Sequence, residues 1–268
     1  MKFTHSFYTF TNFTKGKRMK IIKIAIVSLL LSTTAFAFEP AQLSLDSVSN
    51  FEKGDSAMAI RHRFFGKAND INDFFGIDSG ANTLLGLRYA PIKNIIIEVH
   101  HTREKKEYNG RLGFAYKLKY IHTQLNINAF TFKESGIQEK RSNAFGNLVL
   151  QTPLLFEHLT LTYNLGYDNY YKRSGSGFGA ELSTNNFMSE TFPMSESFSL
   201  LGEYYTKHNG LLAKTKKFNS FAFGMKIRTY KHHFEILLTN STAMDPRTMM
   251  QGTDSNNLHF AFNINRKF

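Results

Sequence analysis

The chain contains no cysteine and no tryptophan, and only five prolines in 268 residues. The missing thiols exclude disulfides, thiolate metal centres, cysteine nucleophiles and the lipidated cysteine of a bacterial lipoprotein. They suit a polypeptide that crosses an oxidising compartment unfolded, where stray thiols would pair wrongly. Also missing, beyond the first forty residues, are the long amphipathic helices of a soluble enzyme and any apolar run long enough to cross a bilayer as a helix. What is abundant is aromatic: 27 Phe and 12 Tyr, alongside 18 Gly. That composition favours one all-β unit.

Residues 1–37 read as an N-terminal extension followed by a signal peptide. Lys20 and Lys23 supply a positive start, Ile24 to Leu31 a short apolar stretch, and Ala35-Phe36-Ala37 a small-x-small cleavage pattern before Phe38. Met19 makes a better start than Met1, so residues 1–18 are expected to lie upstream of the true initiation site. The formal charge of +12 changes meaning on this reading. Lys2, Lys15, Lys17, Arg18, Lys20 and Lys23 lie in the removed part, which has no acid, so the mature chain carries +6. Half the basicity belongs to targeting, and a nucleic-acid partner is not expected.

Residues 38–54 form a polar, extended periplasmic or lumenal segment. From residue 55 to the end, apolar residues recur with period two. Leu112, Phe114, Tyr116 and Leu118 alternate with Arg111, Gly113, Ala115 and Lys117; Phe221, Phe223, Met225 and Ile227 alternate with Ala222, Gly224, Lys226 and Arg228. A soluble sandwich shows the same alternation, but three features point to a membrane. The segments run to roughly ten residues, the length of a tilted bilayer-crossing strand. Connections alternate between a longer polar set (66–81, 104–110, 133–141, 168–176, 207–218, 241–256) and a short set (91–94, 120–121, 152–157, 230–231). Only 185–196 departs, being too long for its place. Finally, the chain ends on an alternating strand, Phe260, Phe262 and Ile264, with Phe268 as the last residue. This resembles the signal by which the barrel assembly machinery recognises outer-membrane proteins, although Arg266 interrupts it.

The expected fold is therefore all-β: a single closed antiparallel transmembrane barrel of about twelve strands, or ten if long strands have been split. Closure follows from backbone chemistry, because in lipid every N–H and C=O must be paired internally. Several stretches also resemble a family of bacterial outer-membrane β-barrel proteins known only as a domain of unknown function. They are Ile60-Arg61-His62-Arg63-Phe64, Asp73-Phe74-Phe75-Gly76-Ile77-Asp78, Leu85-Gly86-Leu87-Arg88-Tyr89, Gly202-Glu203-Tyr204, Lys231-His232-His233-Phe234 and the final Phe262 to Phe268. The resemblance spans nearly all of the mature chain and implies a membrane barrel. It carries no catalytic residue, and Lys117 to His122 depart from its pattern.

Placing the polar face of each strand inward puts Arg61, Arg63, Arg88, Arg111, Lys117, Lys119, Lys226 and Arg228 in the lumen, against Glu98, Glu181, Glu203 and Glu235. Such a positive surplus in a low-dielectric channel favours anions. His100-His101 and His232-His233 are adjacent pairs whose members face opposite ways, so neither chelates one ion, and no metal or other cofactor is expected. Asn69 to Ser79 form an acidic loop without the spacing of a calcium loop, with Phe74 and Phe75 folded over the barrel mouth or into headgroups. Ser174-Gly175-Ser176-Gly177 lacks the features of a phosphate loop and reads as a flexible connection. There is no G-x-S-x-G elbow.

The function expected is a narrow passive pore for small polar or anionic solutes in the outer membrane of a Gram-negative bacterium. Its partners would be outer-membrane lipid, the assembly machinery and the solute. The alternatives are a non-conducting barrel that binds or assists through its loops, and an outer-membrane lipid enzyme.

Overall fold

A computed structural model describes residues 42–133, 140–152, 155, 158–185, 197–206, 216, 218–229 and 231–268. Twelve strands form one closed barrel in which every strand pairs antiparallel with its sequence neighbours. In chain order they are β1 (Ser56–Phe64), β2 (Ala81–Ile92), β3 (Ile95–Thr102), β4 (Glu107–Lys117), β5 (His122–Lys133) and β6 (Lys140–Gln151). There follow β7 (Leu159–Asp168), β8 (Arg173–Asn185), β9 (Ser197–Thr206), β10 (Ser220–Arg228), β11 (His232–Thr239) and β12 (His259–Lys267). The sheet closes where β1 meets β12, in a register running from Ala57 opposite Lys267 to Arg63 opposite Ala261. No edge is left to template aggregation. An even strand number brings the first and last strands to the same end, here the turn end; the opposite rim is the loop end.

The alternation of the sequence is the alternation of the wall. Leu85, Leu87, Val99, Ile127, Leu165, Met225 and Ile236 are exposed on the outside, while Arg61, Arg63, Arg88, Glu98, Asn126 and Asn164 are buried inside. This inside-out arrangement is what a lipid solvent demands. Tyr89, Tyr116 and Tyr120 are exposed near the turn end, and Tyr108, Tyr167 and Tyr204 near the loop end, the two depths at which interfacial aromatics sit. Among the described residues no helix is long and apolar enough to cross a membrane.

Two strands begin earlier than the alternation suggests. β4 starts at Glu107 rather than 111, and β8 at Arg173 rather than 177. Ser174-Gly175-Ser176-Gly177 is thus not a flexible connection but part of β8, laddered to β7 from Asp168↔Arg173 onward. The connections at 104–110 and 168–176 shrink to tight turns, each using one residue in the left-handed region, Lys106 and Lys172. The loop after β1 contains a short 3-10 helix, Ile71–Gly76. Its Phe75 packs edge-on against Phe260 at 6.4 Å between ring centroids, so it lies against the outer wall and not over the mouth. The connection 186–196, all of 134–139 and all of 207–217 but Lys216 lie outside the described residues.

Candidate functional site

The lumen is occupied. Residues 42–51 run through it as a segment that bends over Gln42–Leu45 and pairs with no strand, and Gln42 to Ser49 are all at least nine-tenths buried. A backbone taken out of water must find partners for its N–H and C=O groups. Here the wall's side chains supply them. Glu203 accepts from the N–H groups of Ser44 (2.9 Å) and Leu45 (3.2 Å). Asn164 accepts from Asp46 N–H at 3.2 Å and donates to its carbonyl at 2.9 Å. Gln151 and Gln124 accept from Val48 and Ser49, each at 2.8 Å. The Leu43 carbonyl receives Arg63 at 3.1 Å and Asn263 at 2.8 Å. Near the turn end, Lys117 donates to Asn50.

Side chains of the segment are gripped as well. The Asp46 carboxylate accepts from Arg111 Nη1 at 2.7 Å on one oxygen, and from Asn147 at 2.8 Å and Asn126 at 3.2 Å on the other. Arg111 also donates to Asn128 at 2.7 Å and reaches Glu98 at 3.3 Å, while Arg88 holds Glu98 at 2.7 Å. Leu43 packs with Leu201, Ala222, Leu237 and Ala261, and Val48 with Ile96, Ala115 and Val149.

A second element fills the loop end. The β11–β12 connection folds inward and carries α1 (Pro246–Met249), capped by Asp245, whose carboxylate accepts from Thr248 N–H at 3.1 Å. Arg247 pairs with Glu107, lies 3.7 Å from Asp168 and sits over the Phe130 ring at 4.0 Å. Met249 and Met250 join Phe130, Phe132, Phe145, Tyr205 and Leu45 in one apolar cluster, so loop, wall and N-terminal segment meet there. Burial pushes the Asp245 carboxyl up, but Arg247 and the bonds from Thr248 outweigh it and hold it below the usual carboxylate range.

Of the residues expected to line the lumen, Arg61, Arg63, Arg88, Glu98, Arg111, Glu203, Lys226 and Glu235 are buried inside, and Arg228 nearly so. Lys226 lies 3.1 Å from Glu181 and 3.9 Å from Glu235; Arg228 also pairs with Glu181, and Arg61 donates to the Met244 carbonyl. Lys117 stands exposed at the rim. Lys119 is a correction: it sits in the exposed turn after β4, with its ammonium 5.1 Å from the Tyr120 ring centre, because β4 ends at Lys117. The positive surplus is also corrected. Among the described residues, with Arg247 included, seven buried or nearly buried cations face eight buried carboxylates: Asp46, Glu98, Glu107, Asp168, Glu181, Glu203, Glu235 and Asp245. Attention to charged residues alone also missed the amides Gln124, Asn126, Asn128, Asn147, Gln151 and Asn164. Their inward positions on β5 to β7 were readable from the same alternation. His100 and His233 face inward while His101 and His232 face outward, as strand geometry requires.

On the last strand, Phe260, Phe262 and Ile264 stand on the outer face, and Phe268, beyond its end, is exposed with its N–H bonded to Ser56. The family model of a membrane bound beta barrel domain (DUF5777) matches residues 39–145 and 159–268. The chain belongs to this family. The match begins ahead of β1 and so takes in the lumenal segment together with the barrel. Among solved structures, the chain is similar to the KdgM porin (10% identity, TM-score 0.48, covering 79% of this chain and 99% of that one). It is also similar to the NanC porin (11%, TM-score 0.48, 79% and 98%) and to LpxR from Salmonella typhimurium (9%, TM-score 0.41, 80% and 99%). No curated protein matches it in sequence.

Proposed function

We propose that this protein is an outer-membrane barrel forming a gated passage for small polar solutes, closed by its own N-terminal segment. The observation that carries this reading is that residues 42–51 fill the lumen without belonging to the sheet. They are held by side chains, so they can leave while the barrel's own hydrogen bonds stay intact. In the membrane the turn end faces the periplasm, so the segment enters from the periplasmic side after export and signal-peptide removal, and the longer loops face outward. Phe260, Phe262, Ile264 and Phe268 serve the assembly machinery, and lipid covers the outer face. The inward charges, Arg61, Arg63, Arg88, Glu98, Arg111, Glu203, Lys226, Arg228 and Glu235, then act on whatever solute passes, with Lys117 at the periplasmic rim.

The test exploits the absence of natural cysteine. Val48 and Ala115 pack in one cluster, so the V48C/A115C variant ties the segment to the wall under oxidation. Single-channel recording in planar bilayers is expected to show conductance steps in reductant that disappear in oxidant. Silence in both, from protein that remains heat-modifiable on gels, would sink the gate. It would favour a non-conducting barrel working through its loop end, where a cavity of about 190 Å³ is lined by Asn82, Glu104, Ser241, Thr242 and Asp245.

A further inference from the structure

We infer that Arg111, Asn126 and Asn147 form a carboxylate-binding site for the transported solute, which Asp46 occupies as a stand-in while the passage is closed. The inference rests on the gated-passage reading and names the solute class.

Its three residues belong to adjacent strands, β4, β5 and β6, and the sheet fixes their relative positions. Asn126 lies directly opposite Asn147, and Arg111 directly opposite Asn128, whose side-chain oxygen accepts from Arg111 Nε at 2.7 Å. The donors are therefore set by the wall and remain in place when the segment withdraws. They approach both oxygens of one carboxylate, Arg111 on the first and the two amides on the second. Such a charge-assisted fork suits a planar, two-oxygen anion better than a spherical one.

Charge makes the site demand a replacement. Arg88 and Arg111 flank a single carboxylate, Glu98, so Asp46 supplies the second negative charge of the group. All four side chains are buried. Removing Asp46 leaves one uncompensated positive charge in a poorly solvated space, which is costly. Withdrawal of the segment is thus coupled to arrival of another anion, and a solute carboxylate competes directly with Asp46. The same geometry explains why a lumen with no overall positive surplus can still select a negatively charged solute: selection is local to this site.

The experiment records the full mature chain in planar bilayers at constant ionic strength, replacing potassium chloride stepwise with potassium acetate, and separately with potassium phosphate. At acetate near ten times its dissociation constant the ratio of open to closed time is expected to rise about tenfold over chloride. The N126A/N147A variant, which keeps every buried charge, is expected to lose most of that rise. D46N is expected to open in chloride alone, without needing acetate. Equal opening in chloride, phosphate and acetate would overturn the carboxylate site while leaving the gate standing, as would an acetate effect unchanged in N126A/N147A. No steps in any salt, from folded protein, would overturn the gate itself and the solute site with it.

Discussion

Gly177 and Gly179 stand on the inner face of β8 where the lumenal segment passes close by. A Cβ on Gly179 would meet Gln42 Oε1 at 2.3 Å and Leu45 Cδ1 at 2.6 Å; one on Gly177 would meet Leu45 at 2.7 Å and Tyr205 at 2.8 Å. Gln42 is itself anchored, donating to Thr162 at 2.9 Å, so it has little room to retreat. The bare backbone is the socket. The G179A variant is therefore expected to fold as a barrel yet dock the segment poorly, by about 1–3 kcal/mol as overpacking in a tight site usually costs. Bilayer recording would show it as a longer open time than the parent, and unchanged open time would mean that the segment slides past a methyl group freely. A complementary loss is expected at Glu203. Replacing it with alanine strips the acceptor from two buried N–H groups, a penalty of about 1–3 kcal/mol for each group left unsatisfied.

At the scale of elements, the inward loop carrying α1 is held by one cation among carboxylates and rings. Removing the charge in R247Q leaves Glu107 and Asp168 facing each other's field without their partner, and a broken buried pair typically costs about 3–5 kcal/mol. The loop is expected to undock, exposing Met244, Met249 and Met250, which are at most 1% exposed in place. Their oxidation by dilute peroxide, read by mass spectrometry, should quicken at least tenfold; equal rates would show that the apolar cluster holds the loop alone. The same readout tests pH. Because Asp245 is depressed below its ordinary value, its contribution to docking is complete above about pH 4 and fades only as the pH falls further. The Asp245 contribution to methionine protection should therefore decline as the pH falls below about 4. Strand positions were largely legible because period two survives in most strands. The early starts of β4 and β8 were not, since Tyr108 and the Ser-Gly repeat carry turn residues among them and only the neighbouring strand's ladder shows where pairing stops.

For the whole molecule, closure and membrane character were readable from alternation, connection lengths and the terminal aromatic strand. A lumenal place for the N-terminal segment was one of the two that the sequence left open, and what grips it there was not legible. Residues 42–51 show no strand register, and their partners come from β1, β4, β5, β6, β7, β9 and β12, far apart in sequence. The inward cations looked like a surplus because Asp46 and Asp245 sit outside the alternating strands, Glu107 and Asp168 lie at strand ends that read as connections, and Lys117 and Lys119 are exposed rather than inside.

One consequence concerns how this protein can vary. Most bonds to the lumenal segment are made to its main chain, which every amino acid shares. Ser49, bonded through its N–H, can then change over generations with little effect on docking, while Glu203, Asn164, Gln151 and Gln124 are constrained although they touch no solute in the closed state. At those main-chain contacts the usual expectation, an inserted segment under scrutiny inside a tolerant scaffold, is reversed; Gln42, Leu43, Ser44, Leu45, Asp46, Val48 and Asn50 are held by their side chains as well. A saturation scan of both sets would reveal the inversion directly.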